Sequence, residues 1–359
     1  MNLEGNVDAS IAALVRCIRN KVAKGDVTMD IGTLLQYFQV DLITEAGLGA
    51  AWGDLAEEKD HYGYLEMADA SIASLHTFAS LPVVRAINTS SWFLSLFGPK
   101  TTDKTGLGLF LGLVEKEVEE RFKGNPEKAE SRGDMLGEWI KHGLPPKECQ
   151  LDLAFQIPAG TETSVTTIRG ILLLLLSSPP VYQRAKQEIK DGIAAGRISN
   201  PVTHAEAKNL KYMQAVLLEG LRLMEPVAFG FPKRVPASGD TICGKAIPGG
   251  TDVYPNFASM MRNPDVFGSD ALVFRPERFL GSGPDVARMV KTVDFAFGYG
   301  RYVCLGKGLA QMEMNKIFIE LLRNFDFQIA NPEKPWTRVG YTTYMISDFW
   351  VQASEATLT

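Results

Sequence analysis

Between Pro145 and Ser178 the chain carries its longest periodic apolar segment, and this reads as one long helix interrupted at Pro158. Proline there lacks a backbone donor and its ring crowds the preceding turn, so a kink is expected. An element of this length and apolarity sets a mainly helical architecture around itself. Its longest purely apolar run, Ile171 to Leu176, is much shorter than the roughly 20 residues a bilayer span takes.

The rest of the sequence agrees with that frame. Ile11, Leu14, Val15 and Ile18 recur at helical spacing, and Ile31, Leu34, Leu35 and Phe38 repeat the pattern after Gly25. Further helices are expected over 107–122, over 180–194 behind a Ser178-Pro179 start, over 211–224 and over 305–324. The last of these turns Leu309, Met312, Ile319, Leu322 and Phe325 inward. After Glu225 proline and glycine become frequent. Thr241-Ile242-Cys243 and Thr251-Asp252-Val253-Tyr254, flanking residues 246–250, read as a hairpin, with closing strands at 327–329 and 344–351. No repeat or linker divides the chain. The expectation is a single mainly α domain over 1–359 with a small β part.

Composition narrows the class. With 45% hydrophobic residues in 359 the chain can bury a large core. Lys and Arg number 37 against 42 Asp and Glu, a formal charge of -5, with both signs scattered, which disfavours nucleic acid as a partner. Cys17, Cys149, Cys243 and Cys304 lie far apart without a C-x-x-C pair, so neither a disulfide framework nor a zinc site is expected. His61, His76, His142 and His204 are widely spaced and read as surface or structural residues. Gly106-Leu107-Gly108 lacks the third glycine and setting of a dinucleotide loop. The opening residues form no signal peptide or anchor, so the chain as written is expected to be soluble and either cytoplasmic or associated with the endoplasmic reticulum.

Chemistry concentrates in three places. Phe297-Gly298-Tyr299-Gly300-Arg301-Tyr302-Val303-Cys304-Leu305-Gly306 puts one cysteine in a glycine-rich loop running into a helix. A helix N-terminus favours thiolate, and glycines let the backbone approach a flat ligand and donate amide hydrogens to sulfur. Glu219 and Arg222, three apart on a helix, can pair on one face. In Ala159-Gly160-Thr161-Glu162-Thr163, just after Pro158, a carboxylic acid stands beside a hydroxyl among small residues. Acid and hydroxyl together can relay protons. Taken singly, the last two read first as a surface ion pair and a helix interrupted for packing.

In combination and order these segments resemble the cytochrome P450 family. The cysteine loop matches its F-x-x-G-x-[R/H]-x-C-x-G pattern at Phe297, Gly300, Cys304 and Gly306. Glu219 to Arg222 matches E-x-x-R, Pro276-Glu277-Arg278-Phe279 matches P-E-R-F, and 159–163 looks like the oxygen-activation motif. The resemblance implies a haem b group whose iron is ligated by Cys304, with Phe297, Gly298, Gly300, Arg301, Tyr302 and Gly306 around it. It implies a Glu219-Arg222-Arg278 cluster that fixes the loop, and Ala159, Gly160, Glu162 and Thr163 as the oxygen- and proton-handling group. Val227, Ala228, Phe229 and 346–349 resemble substrate-pocket positions, a core role being equally open.

The implied activity is monooxygenation of an apolar organic substrate with O2 and an NADPH-dependent reductase, in the style of fungal enzymes of secondary metabolism. Two departures stand out. Tyr302 occupies the family's basic position, so that either Arg301 serves the haem propionate from a shifted register or the propionate is held less tightly. The specific motifs cover 145 onward only, no W-x-x-x-[R/K] element is found, and the family's anchor, first strands and early helices are missing. The competing expectation is therefore an inactive helical remnant that binds a partner or has no function.

Overall fold

Two N-proximal helices, α1 (Leu3–Lys24) and α2 (Ile31–Leu48), pack against each other. The repeats read from the sequence, from Ile11 to Ile18 and from Ile31 to Phe38, are their buried faces. In this computed structural model residues 3–71, 81–124, 133–230, 232–340 and 343–356 are described. Asp30 caps α2, its Oδ1 accepting from the Thr33 amide at 3.2 Å, and Gly49 ends it at φ 73°, a left-handed conformation glycine adopts without strain.

Next come α3 (Gly106–Lys123) and the central α4 (Pro146–Leu176). α4 is one uninterrupted helix; Pro158 sits inside it without ending it. Its length and apolarity would suffice for a membrane span, yet 67% of that stretch is buried by its neighbours, which makes it the core helix of this fold. Leu153, Ile157, Val165, Ile168, Leu172 and Leu175 are buried at successive turns. Then follow α5 (Pro179–Ala194), α6 (Lys211–Leu223), α7 (Pro284–Asp294) and α8 (Lys307–Asn324). One apolar cluster joins α1, α2, α4, α5, α6 and α8; a second joins α2, α3 and the first half of α4. The architecture is mainly α with a small β part, as expected.

The sheet is three-stranded and antiparallel, in the order β1 (Thr28–Asp30), β3 (Trp350–Glu355), β2 (Phe325–Ile329). Expected strand 344–351 is really two: Tyr344–Ser347 pairs with Thr337–Gly340, and the chain turns at Asp348 (φ 59°) before β3 begins.

The expected hairpin has different partners. Asp240–Ile242 pairs with Lys245–Ile247 across Cys243 (φ 51°) and Gly244 (φ 76°), whereas Asp252–Val253 pairs with Lys233–Arg234. Two consecutive left-handed residues make the tight two-residue turn that matches strand twist. The Pro-Gly-Gly segment looked like the turn but links two different ribbons.

Candidate functional site

The cysteine loop begins where α7 ends. Phe297 packs on an apolar cluster of Ala215, Leu221, Phe267, Phe279, Met289 and Val293, which anchors the loop's first residue. Gly298 has φ 80°, and a Cβ there would lie 2.4 Å from the Tyr302 carbonyl oxygen, so only glycine lets the loop close on itself. Gly300, at φ 60°, also lies in the left-handed region. The Cys304 amide donates to the Phe297 carbonyl at 2.7 Å, closing the loop, and Gly306 is the N-cap of α8. The expected helix over 305–324 therefore starts two residues later, leaving Cys304 ahead of its first turn.

What the loop presents is unusual for a protein surface. Tyr299 is 71% exposed, Tyr302 52%, Val303 42% and Leu305 fully, with Cys304 exposed among them. On α4, Leu151 and Phe155 are also exposed, and with Ala159 and partly exposed Thr163 they recur every fourth residue along one stripe. Exposed apolar side chains concentrated on a loop and a helix stripe of this kind mark a place where something binds. The first turn of α8 meets α4 through Leu309, which packs against the cluster holding Leu153 and Ile157. A flat apolar group with an iron that takes sulfur fits this face, and the donor set is one thiol and no cluster of three metal-binding side chains among the described residues.

Around residue 302 two cations share one ring: Lys233 Nζ lies 3.6 Å from the Tyr302 centroid and Arg301 Cζ 4.8 Å, while Arg301 Nη2 donates to the Tyr302 hydroxyl at 2.6 Å.

Behind the loop the Glu219 cluster is fully enclosed. Arg222 donates to both Glu219 oxygens, Nε to Oε2 at 2.7 Å and Nη2 to Oε1 at 2.8 Å, and Arg278 Nε reaches Oε1 at 3.0 Å. The remaining guanidinium hydrogens go mostly to backbone: Arg222 to the carbonyls of Met261 and Ala271, Arg278 to those of Phe267, Asp270 and Val273, with the Asp270 carboxylate also accepting from Arg278 Nη1 at 3.3 Å. A surface ion pair is thereby excluded. The arginines stitch the irregular 261–279 segment to α6, and that segment supplies the Phe267 and Phe279 against which Phe297 rests.

The oxygen-motif residues diverge. Thr163 donates its hydroxyl to the Ala159 carbonyl at 2.7 Å, the helix's own backbone. Glu162 turns away to the Gln36 amide and the Tyr64 hydroxyl, and burial raises its carboxyl above the usual range. Gly160 lets α2 approach, since a Cβ there would meet Ile43 Cδ1 at 2.8 Å. Its carbonyl accepts from Gln39 Nε2 at 3.3 Å, and the same amide donates to Glu313 Oε2 at 3.2 Å.

Glu313, fully buried on α8, was not singled out in the sequence; burial pushes its carboxyl up to about 8. A glutamate in the i, i+4 stripe between Leu309 and Ile317 was the available signal.

Elsewhere, His61 sits between Asp54 and Glu57, both at 2.9 Å, and His76 lies outside the described residues. Ile346 and Phe349 are core residues, while Phe229 is 46% exposed.

A family model described as cytochrome P450 matches residues 1–346. Cytochrome P450 monooxygenase aba1 of Botryotinia fuckeliana is 38% identical over 361 aligned residues, covering 99% of this chain and 70% of the relative. ABA1 of Pyricularia oryzae is 34% identical over 365, covering 99% and 71%. A more distant relative, mpaDE of Penicillium roqueforti, is 28% identical over 341, covering 93% and 39%.

Proposed function

The chain belongs to the cytochrome P450 family of haem b monooxygenases, and from that premise we propose that it inserts one oxygen atom from O2 into an apolar organic substrate. The observation that carries this reading is the open apolar face on which a single exposed thiol stands, with a hydroxyl-bearing stripe of α4 on the neighbouring helix. Residues 1–359 act as one domain in this reading. An NADPH-dependent reductase supplies the electrons, and the fungal relatives favour a role in secondary metabolism.

Cys304 Sγ is the iron ligand, and Phe297, Gly298, Gly300, Arg301, Tyr302 and Gly306 form the cradle around it. Thiolate-ligated haem, once bound, supplies reductive activation of dioxygen. The protein's own residues do the rest. Glycines at 298 and 300 give the loop the backbone shape that turns Sγ outward. Glu219, Arg222 and Arg278 hold the support beneath Phe297, so the loop keeps that shape. Ala159 and Gly160 keep the middle of α4 small. Thr163 holds a transferable proton on Oγ1, and burial raises the Glu162 carboxyl above its usual range, which favours its carrying a second. The exposed apolar side chains Leu151 and Phe155 bind substrate carbon and exclude water.

The test is the spectrum of the reduced, carbon-monoxide-treated protein. A Soret band of thiolate type, lost in Cys304→Ala, is expected; failure of the intact chain to take up haem overturns the reading in favour of a non-catalytic remnant. Thr163→Ala is expected to retain the band while diverting electrons from product to reduced oxygen.

A further inference from the structure

Glu162 and Thr163 are neighbours in sequence, yet their side chains make no hydrogen bond to each other among the described residues. Successive helical residues point about 100° apart, so the two functional groups leave α4 in different directions. The Glu162 side chain has instead a holder of its own. Its Oε1 accepts from Gln36 Nε2 at 2.8 Å and from the Tyr64 hydroxyl at 3.2 Å. Its Oε2 accepts nothing from the described residues and is not among the atoms sealed in the interior without a partner. Among the described residues, the hydrogen bonds to this carboxyl thus all fall on one oxygen.

Both donors are neutral and come from different elements. Gln36 is buried on α2, and Tyr64, 1% exposed, begins the helical stretch 64–71. Burial and the nearby carboxylate hold the Tyr64 phenol well above its ordinary range, so it stays a donor. The charged groups facing Glu162 are Arg169 on the same helix, which favours the carboxylate, and Asp69 on the 64–71 stretch, which opposes it. Arg169 spends its hydrogens on the Gly32 and Ile346 carbonyls, so it acts on Glu162 only through space.

We propose that Tyr64 and Gln36 are the positioning residues of Glu162, fixing its Oε1 so that Oε2 is the oxygen at which the proton is taken up and released. This deepens the reading of Glu162 as a proton donor and rests on it. A cation bonded to the carboxyl would hold it ionised. Two neutral donors orient the group while stabilising the carboxylate less, which leaves it able to carry a proton. Removing either donor withdraws stabilisation from the charged form and moves the titration to higher pH.

Infrared difference spectroscopy of the purified chain, titrated from acid to alkaline pH, tests this directly. The band of the protonated Glu162 carboxyl is identified by its loss in Glu162→Gln. Its midpoint is expected to rise by about one pH unit in Tyr64→Phe, and again in Gln36→Leu. Both variants preserve side-chain volume, and either suffices should the other misfold. Midpoints that stay put or fall, or the absence of any band lost in Glu162→Gln, overturn the proposal.

In the haem-loaded enzyme the same variants should shift the pH profile of kcat upward and leave KM unchanged. The infrared measurement needs no haem. An unmoved midpoint beside an intact thiolate Soret band therefore condemns the positioning role, whereas a missing Soret band condemns the enzymatic reading.

Discussion

The Glu219 cluster and the Cys304 loop stand on opposite sides of Phe297 and are built on opposite principles. In the first, three charged side chains are almost wholly withdrawn from solvent, and their polar hydrogens are spoken for by carboxylate or backbone oxygens. In the second, the backbone is pinned by a few amides and two left-handed glycines while the side chains are left facing outward. The difference teaches where stability and chemistry reside: the closed region tolerates no missing partner, and the open one needs a partner from outside.

Substitutions sharpen or break that contrast. The largest effect falls on the open side and is spectroscopic, since Cys304→Ala should abolish the thiolate Soret band while changing the denaturant midpoint little. Arg222→Leu should do the reverse, because it strips the buried Glu219 Oε2 of its donor and leaves the Met261 and Ala271 carbonyls unpaired, costing about 3–5 kcal/mol in urea unfolding.

Glu313 gives a pH-dependent case. Its folded-state value, about 8 against an ordinary 4.5, means that between roughly pH 5 and 8 the native chain keeps a proton that the unfolded chain has released. Stability contributed by this group therefore falls as pH rises through that window, by about 1.4 kcal/mol per pH unit. Glu313→Gln should flatten the slope of unfolding free energy against pH over the same range.

Gly298→Ala should cost about 1–3 kcal/mol through backbone strain and contact with the Tyr302 carbonyl, read as a lowered Tm. Smallest is Tyr302→Phe, an exposed change worth under about 0.5 kcal/mol in stability. If it nevertheless weakens haem retention, the ring that gathers Lys233 and Arg301 belongs to the binding face.

Much of this was readable from residue order. Periodicity found the long helices because burial of one face is written locally, and the Cys304 loop was legible because its glycines and cysteine are consecutive. Strand pairing was less so: the hairpin across Cys243 and Gly244 turns on a left-handed cysteine, a residue with no special turn propensity, while the more conspicuous Pro248-Gly249-Gly250 separates strands with different partners. Pro158 promised a break, but the surrounding packing carries the helix through. The environment of Glu162 was out of reach, since Gln36 and Tyr64 lie 126 and 98 residues away in sequence and nothing in either segment points to the other. Acid and hydroxyl stand side by side in the chain; three dimensions send them to different neighbours.

The order of the three-stranded sheet bears on how the chain is made. β3, the last of its strands to leave the ribosome, is the one between the other two, and it bonds β1 on one edge and β2 on the other. During synthesis β1 and β2 have no native mate in this sheet until Trp350–Glu355 emerges, so this corner zips shut only after all eight helices α1 to α8 have been translated.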